Sequence, residues 1–278
     1  MTAHSLTDRP ALLRNRARAR RQPGHAAAMF LHRLALADVQ ERLNEVNKTF
    51  TAPAVVTGFP DFWAQALPGA RVVADAEVLA LTPGAHDLVL HAMALHWAND
   101  PVGQLVQCRR ALVPDGLCLA VLAGGQSLHE LRSALAAGES RVTGGLSPRV
   151  LPMGEIRDLG GLMQRAGFAL PVADSVTQRV EYGSFAALSA DLRAMGEANA
   201  LSARRRRFLS RQVLAEAVRA YRESFATAEG RLRATFELVF LTGWAPHEGQ
   251  QQPLRPGSAR HRLADALGVR ELPLPKSG

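Results

Sequence analysis

A nearly all apolar run, DLVLH from Asp87 to His91, and an uninterrupted one, LCLAVL from Leu117 to Leu122, constrain this chain most. A strand that is apolar at nearly every position is buried on both faces, which is the signature of a parallel sheet covered by helices on both sides. The segment between the runs supplies such a helix. Asn99-Asp100-Pro101 pairs a capping side chain with a proline at the first helical position, and Leu105, Cys108 and Leu112 then fall on one face. Val113-Pro114-Asp115-Gly116 ends that helix. Strand, helix, strand in this order requires a crossover connection and an α/β class.

The same alternation extends both ways. An amphipathic helix is expected over Met29 to Val46, a strand at Ala54 to Val56, a helix at Asp61 to Leu67 and a strand at Arg71 to Ala74 ending in Asp75. Beyond the Gly124-Gly125 pair, helices are expected at Ser127–Ala137, Ile156–Ala166, Phe185–Met195 and Ala203–Phe225, an edge strand at Val172–Tyr182 and a last strand at Thr235–Trp244. The organisation read from this pass is a basic helical segment over 1–50, an α/β domain over 51–250 with a helical insertion around 185–226, and an extended tail over 251–278 rich in proline and arginine.

The formal net charge is +8, and since Lys48 and Lys276 are the only lysines, nearly all the basicity is arginine. An arginine and alanine bias with solvated basic faces explains this better than nucleic-acid binding, for which interleaved aromatic residues and a recognition motif are missing. At most a peripheral membrane contact is expected. No apolar run has the length of a bilayer span. Cys108 and Cys118 have no metal-ligand spacing, which fits a reducing compartment. The first 30 residues are arginine-rich and poor in acids. They read either as a transit peptide or as a basic helix, from about Pro10 to Arg21, packed on the domain or on a partner.

Four constellations carry candidate chemistry. The turn VTGFPDFW after the first strand is placed where a nucleotide cofactor would meet backbone N–H groups. Gly58 is its only glycine, Pro60 removes one N–H, Asp61 puts a negative charge at the helix start, and Phe59 and Trp63 add bulk. A turn that caps its own helix is the simpler reading. HAMALHWAND leaves the carboxyl end of the third strand, where ligands of open parallel sheets sit, so His96 and Trp97 read either as base and stacking face or as a packed corner. His129, Glu130 and Arg132 follow a glycine pair, and Arg204 to Arg207 read as a surface helix. No metal site is expected.

The order of elements resembles the class I S-adenosylmethionine (SAM) methyltransferase fold. Within it, DLVLHAMALHWANDPVGQL, ALVPDGLCLA, AGGQSLHELRSAL, GGLSP, DLGGLMQRAGF, DLRAMGEAN and ATFELVFLTGWAPHE resemble the family of methyltransferase-like complex I assembly factors described as arginine hydroxylases, together with its alphaproteobacterial relatives. The resemblance spans about Asp8 to Pro256. It implies a Rossmann-like, mostly parallel sheet with an antiparallel last strand, SAM as cofactor, and a protein partner that is a subunit of respiratory complex I, one of whose arginines is modified. It also implies a bacterial cytoplasmic setting, or the mitochondrial matrix in a eukaryote.

The chain departs from that family after the first strand, where an intact site has a D-x-G-x-G-x-G pattern and this one has Gly58 alone. The second strand, whose terminal acid would hold the ribose, and its following helix are missing; Asp75 matches the acid near the adenine amine. Each lost charge-assisted bond is worth about 1.5–3 kcal/mol, against the roughly 8 kcal/mol of a micromolar ligand. The cofactor-binding candidates are therefore Gly58 and Asp75 in a degenerate site, and the catalytic candidates are His96 and Trp97. Three functions stay open: an arginine-modifying enzyme, a non-catalytic assembly or binding protein without SAM, and a SAM-dependent methyltransferase of another substrate.

Overall fold

A computed structural model describes residues 5–250 of the chain. Three helices come first, α1 (Arg9–Ala19), α2 (His25–Ala28) and α3 (Phe30–Glu45). The sheet then builds from β1 (Pro53–Thr57), α4 (Pro60–Ala66), β2 (Arg71–Ala74), β3 (His86–Ala92), a 3-10 turn at Leu95–Trp97, α5 (Pro101–Ala111) and β4 (Leu112–Gly124). The second half adds α6 (His129–Thr143), α7 (Ile156–Arg165), β5 (Ala169–Tyr182), α8 (Phe185–Met195), α9 (Arg211–Phe225) and β6 (Leu232–Trp244). All of this lies in one compact unit that ends at Pro246. The tail expected over 251–278 lies outside the described residues.

The six strands are ordered β2-β1-β3-β4-β6-β5. β2, β1, β3 and β4 run parallel, while β6 is antiparallel to both β4 and β5. The apolar runs that point to double burial sit at the centre. Along β1, β3 and β4, side chains alternate between two cores, as a period of two requires. Val55, Leu90, Leu119 and Val121 face one core with Trp63, Leu131 and Tyr221. Ala54, Val89, Cys118 and Leu122 face the other with Leu105, Leu159 and Met163. The missing strand is visible as topology: β2 lies directly against β1 and forms the sheet edge, so the sheet ends one strand early on that side.

Local signals explain several boundaries. α5 starts where Asp100 accepts a bond from the Gly103 N–H at 2.7 Å, with Pro101 behind it. α4 starts at Pro60 without a side-chain cap, and Asp61 stands in its first turn, so the capping role expected of Asp61 is not taken up. The expected helix from Ala203 is also shorter. Ser210 caps α9 by accepting from Val213, and the helix begins at Arg211. The arginine run lies ahead of it and is drawn to carboxylates: Arg204 to Asp8 at 2.9 Å, and Arg205 to Glu139 at 3.2 Å. Charge pairing across the chain thus overrides a helical pattern that four arginines had seemed to continue.

Candidate functional site

The expected ligand end of the sheet, beyond the carboxyl ends of β1, β3 and β4, holds two sites: a turn around Gly58 and a cavity around His96.

At the turn, the N–H of Phe59 donates to the Thr57 hydroxyl at 3.2 Å, and the Gly58 carbonyl accepts from Arg20 at 2.7 Å. What stands over Gly58 is neither of the rings that the sequence points to but Arg16 of α1. A Cβ placed on Gly58 would collide with the Arg16 guanidinium. Arg16 is buried, with only 1% of its surface exposed, and its Nη1 donates to Oδ1 and Oδ2 of Asp75 at 2.9 and 2.8 Å. Arg9, two turns earlier on the same face of α1, adds bonds to the Asp75 carbonyl at 2.7 Å and to its carboxylate at 3.2 and 3.3 Å. Burial would raise the Asp75 carboxyl, but the charges and hydrogen bonds of Arg16 and Arg9 prevail and hold it below the ordinary carboxylate range. Nε and Nη2 of Arg16 are buried without a hydrogen-bond partner among the described residues.

The aromatic residues of the turn support this arrangement from the side. Phe59 stacks near the guanidiniums of Arg16 and Arg20, with centroid distances of 5.7 and 5.6 Å. Trp63 turns away into the core and donates from Nε1 to Nδ1 of His32 at 3.1 Å. Burial pushes His32 down to about 3, so it is neutral and its proton sits on Nε2. Gly196, at φ 88°, closes the same packing: a side chain there would meet the Phe59 ring and Arg16. That contact accounts for the glycine in the DLRAMGEAN segment by close approach as well as by its left-handed backbone.

The second site is a cavity of about 230 Å³. Its walls are largely apolar, with Leu31 from α3, Met93 from the loop after β3, Leu131 from α6, Leu192 from α8 and Phe236 from β6. One carboxylate, Glu197, projects into it from the turn after α8. Glu197 Oε2 accepts from Trp97 Nε1 at 2.7 Å and lies 3.4 Å from His96 Nε2. Burial works to raise this carboxyl, but His96, Arg16 and the Trp97 bond outweigh it and keep it low, hence ionised. Glu197 Oε1 has no partner among the described residues. His96 Nδ1 is buried and unpartnered among them, and its imidazole also borders a second, smaller cavity lined by Leu95, Pro152 and Leu162. The segment just ahead of α1 holds the loop that follows the 3-10 turn and the stretch that follows α8, since the Thr7 N–H donates to Asn99 Oδ1 at 2.8 Å and the Asp8 N–H to the Ala200 carbonyl at 2.8 Å.

The structure therefore brings His96 and Trp97 together on one carboxylate, and brings Gly58 and Asp75 together on one arginine. Glu197, Arg16 and Arg9 are the residues that sequence reasoning passed over. Glu197 was within reach, because it lies in a segment that carries the family resemblance. Arg16 and Arg9 were hidden in a basic stretch with no motif. The other candidates hold the scaffold. Glu130 is buried and accepts from the Thr235 N–H at 3.1 Å and hydroxyl at 2.5 Å. Arg132 bonds to the carbonyls of Ser127 and Leu151 at 3.2 and 3.3 Å. His91 is bonded to Gln104 at 2.7 Å and is lowered to about 4 by burial, which makes it a neutral strut between β3 and α5. No group of three or more His, Cys, Asp or Glu is arranged to hold a metal ion among the described residues. Among them, too, no helix is long and apolar enough to cross a membrane.

A four-stranded parallel run with an antiparallel strand inserted before the edge, and a cleft at the carboxyl ends, define a Rossmann-like fold of the class I methyltransferase type. The family model "Methyltransferase domain" matches residues 30–120. Within that class the chain resembles the arginine-hydroxylase family. It is 34% identical over 206 residues to the mitochondrial arginine-hydroxylase NDUFAF5 of Danio rerio, covering 74% of this chain and 64% of that protein. It is also 34% identical over 188 residues to the malonyl-[acyl-carrier protein] O-methyltransferase of Laribacter hongkongensis, covering 68% of this chain and 61% of that one. The chain thus spans somewhat less than two thirds of the length of these relatives. Among solved structures, the YcgJ protein of Bacillus subtilis aligns with a TM-score of 0.47 at 11% identity, over 75% of this chain and 97% of that one.

Proposed function

We propose that this protein receives an arginine side chain of a partner protein in the cavity above Glu197, and that it does so with its SAM niche closed by its own Arg16. The observation that carries the first half is Glu197 itself: an ionised carboxylate in an apolar cavity, one oxygen held by Trp97 and His96 and the other open. Such a chamber suits a long apolar stem that ends in a cation, and a guanidinium can bond to a carboxylate through two donors. Trp97 and His96 act as positioning residues in this reading, since they aim the carboxylate. The family resemblance extends the proposal to a subunit of respiratory complex I as the partner, in a bacterial cytoplasm or a mitochondrial matrix.

The second half rests on the fit of the niche. A sulfonium nucleotide needs Gly58 bare and Asp75 free, and here a guanidinium covers the first and two arginines engage the second. The residues present do not fit SAM, and no chemical step is routed through it. A second reading, SAM-dependent methyl transfer, draws on the methyltransferase-domain match at 30–120.

Mass spectrometry of the complex I subunits from cells with and without this gene tests the function. An arginine that gains 16 Da, or an assembly defect without any mass change, supports the arginine-directed reading. A methyl mass gain that depends on the gene supports the other. Complex I that is unchanged in both mass and abundance overturns the proposed partner.

A further inference from the structure

Outside the cavity, a groove of about 630 Å³ runs between α6, α8 and α9. It continues the cavity, because Leu131, Arg149, Ser189, Arg193 and Asn199 line both. Its floor is apolar, with Phe185, Leu209, Leu214 and Val218, and Leu214 is 37% exposed. Its polar groups have a single sign. Arg149, Arg193 and Arg222 line it, and no Asp or Glu does. Arg149 is committed to Glu139 at 2.7 Å. Arg193 and Arg222 are exposed, and neither guanidinium has a partner among the described residues. Both stand in the last turn of their helices, where a cation offsets the negative helix end. That role needs only a helix terminus and leaves unexplained why two such residues from different helices line one groove.

The charge pattern along this continuous surface is therefore bipolar: a carboxylate inside the cavity, and free guanidiniums on the rim that leads to it. Resting on the reading of the cavity given above, we infer that the groove takes a stretch of the partner polypeptide in which the cationic target side chain is flanked by acidic residues. The target side chain enters toward Glu197, and a flanking carboxylate meets Arg193 and Arg222. The pattern also works against wrong partners, because a peptide with basic residues on both sides of the target would put like charges together at the rim.

The test uses the full chain and N-acetylated, fluorescently labelled octapeptides with one central arginine, flanked within four residues by two aspartates, two serines or two lysines. Binding is read by polarisation at low and at high salt. The aspartate peptide is expected to bind about three- to tenfold more tightly than the serine peptide at low salt, with the ratio shrinking as salt rises. In the Arg193→Glu/Arg222→Glu variant, whose substitutions are on the surface, the order should reverse in favour of the lysine peptide. Glu197→Gln should weaken the aspartate and serine peptides alike and leave their ratio intact. Equal binding of the three peptides, with the loss in Glu197→Gln still present, overturns the acidic-flank inference and spares the cavity reading. Binding indifferent to Glu197→Gln, or no binding to the wild-type chain, overturns the cavity reading and this inference with it.

Discussion

Replacing Asp75 by asparagine leaves the buried Arg16 guanidinium without its ion-pair partner, and the energetic consequence follows from the geometry. Arg16 has 2% of its side chain exposed and its ion pair with Asp75 measures 2.8 Å. Removing one partner of so buried a pair costs about 3–5 kcal/mol. Arg16→Met should cost less, for two reasons. Asp75 keeps Arg9, which is 18% exposed and bonded at 3.2 Å. The change also discards two buried N–H groups, Nε and Nη2, that are unpartnered among the described residues. Two lost charge-assisted bonds at roughly 1.5–3 kcal/mol each, set against that relief, leave a net cost of about 1–2 kcal/mol. The double variant removes both buried charges and should be far from additive, with a coupling energy of at least about 2 kcal/mol. Urea unfolding of the four proteins measures this directly. If both single variants stay within about 0.5 kcal/mol of wild type and their effects add, Arg16 does not seal the turn in the way described here.

Other expectations are shorter to state. Gly58→Ala should destabilise the chain by about 1–3 kcal/mol, because a methyl group there displaces Arg16; chemical denaturation reads it, and an unchanged midpoint would contradict the packing. Glu139, whose burial is outweighed by bonds from Arg149 and Ser147, is held down at about 2. Its folded value lies below the unfolded value of about 4.3, so its contribution is full above that pH and is lost as pH falls toward 2. Glu139→Gln should lower stability at neutral pH and flatten the acid limb between those values in a pH series of thermal melts. Trp97→Phe keeps an aromatic ring, though a smaller one, and removes the donor to Glu197 Oε2. It should weaken arginine-peptide binding about two- to tenfold, as a titration by polarisation would show, and because Trp97 is buried the smaller ring should also lower the unfolding midpoint.

Much of the fold is legible in the residues because its signals are local. The apolar runs of β3 and β4, the Asp100-Pro101 start of α5 and the Pro60 entry to α4 each carry their own physics within a few positions. The shortened edge is legible as well, since too few residues separate β1 from Arg71 to accommodate another strand and helix. The candidate site is legible only in part. His96 and Trp97 follow a strand end that topology marks out, yet their partner Glu197 is 101 and 100 residues away. What fills the Gly58 turn is hidden from the sequence for a related reason. Phe59 and Trp63 are sequence neighbours of the glycine, while Arg16 reaches Asp75 from 59 residues away. Long-range ion pairs have no period and no motif, and in a chain this rich in arginine nothing in the basic N-terminal stretch distinguishes Arg16 or Arg9 from Arg14 or Arg18. For the same reason the sequence extends α9 back through Arg204 to Arg207, where the pairing of Arg204 and Arg206 with Asp8 and of Arg205 with Glu139 depends on the folded structure.

The most direct measurement is a calorimetric titration of the intact chain with S-adenosylmethionine. With Arg16 over Gly58 and Asp75 held by two arginines, no saturable heat is expected up to about 1 mM ligand, a limit that corresponds to roughly 4 kcal/mol of binding free energy. One-site binding with a dissociation constant in the micromolar range would show that the guanidinium gives way, and the closed niche would have to be abandoned.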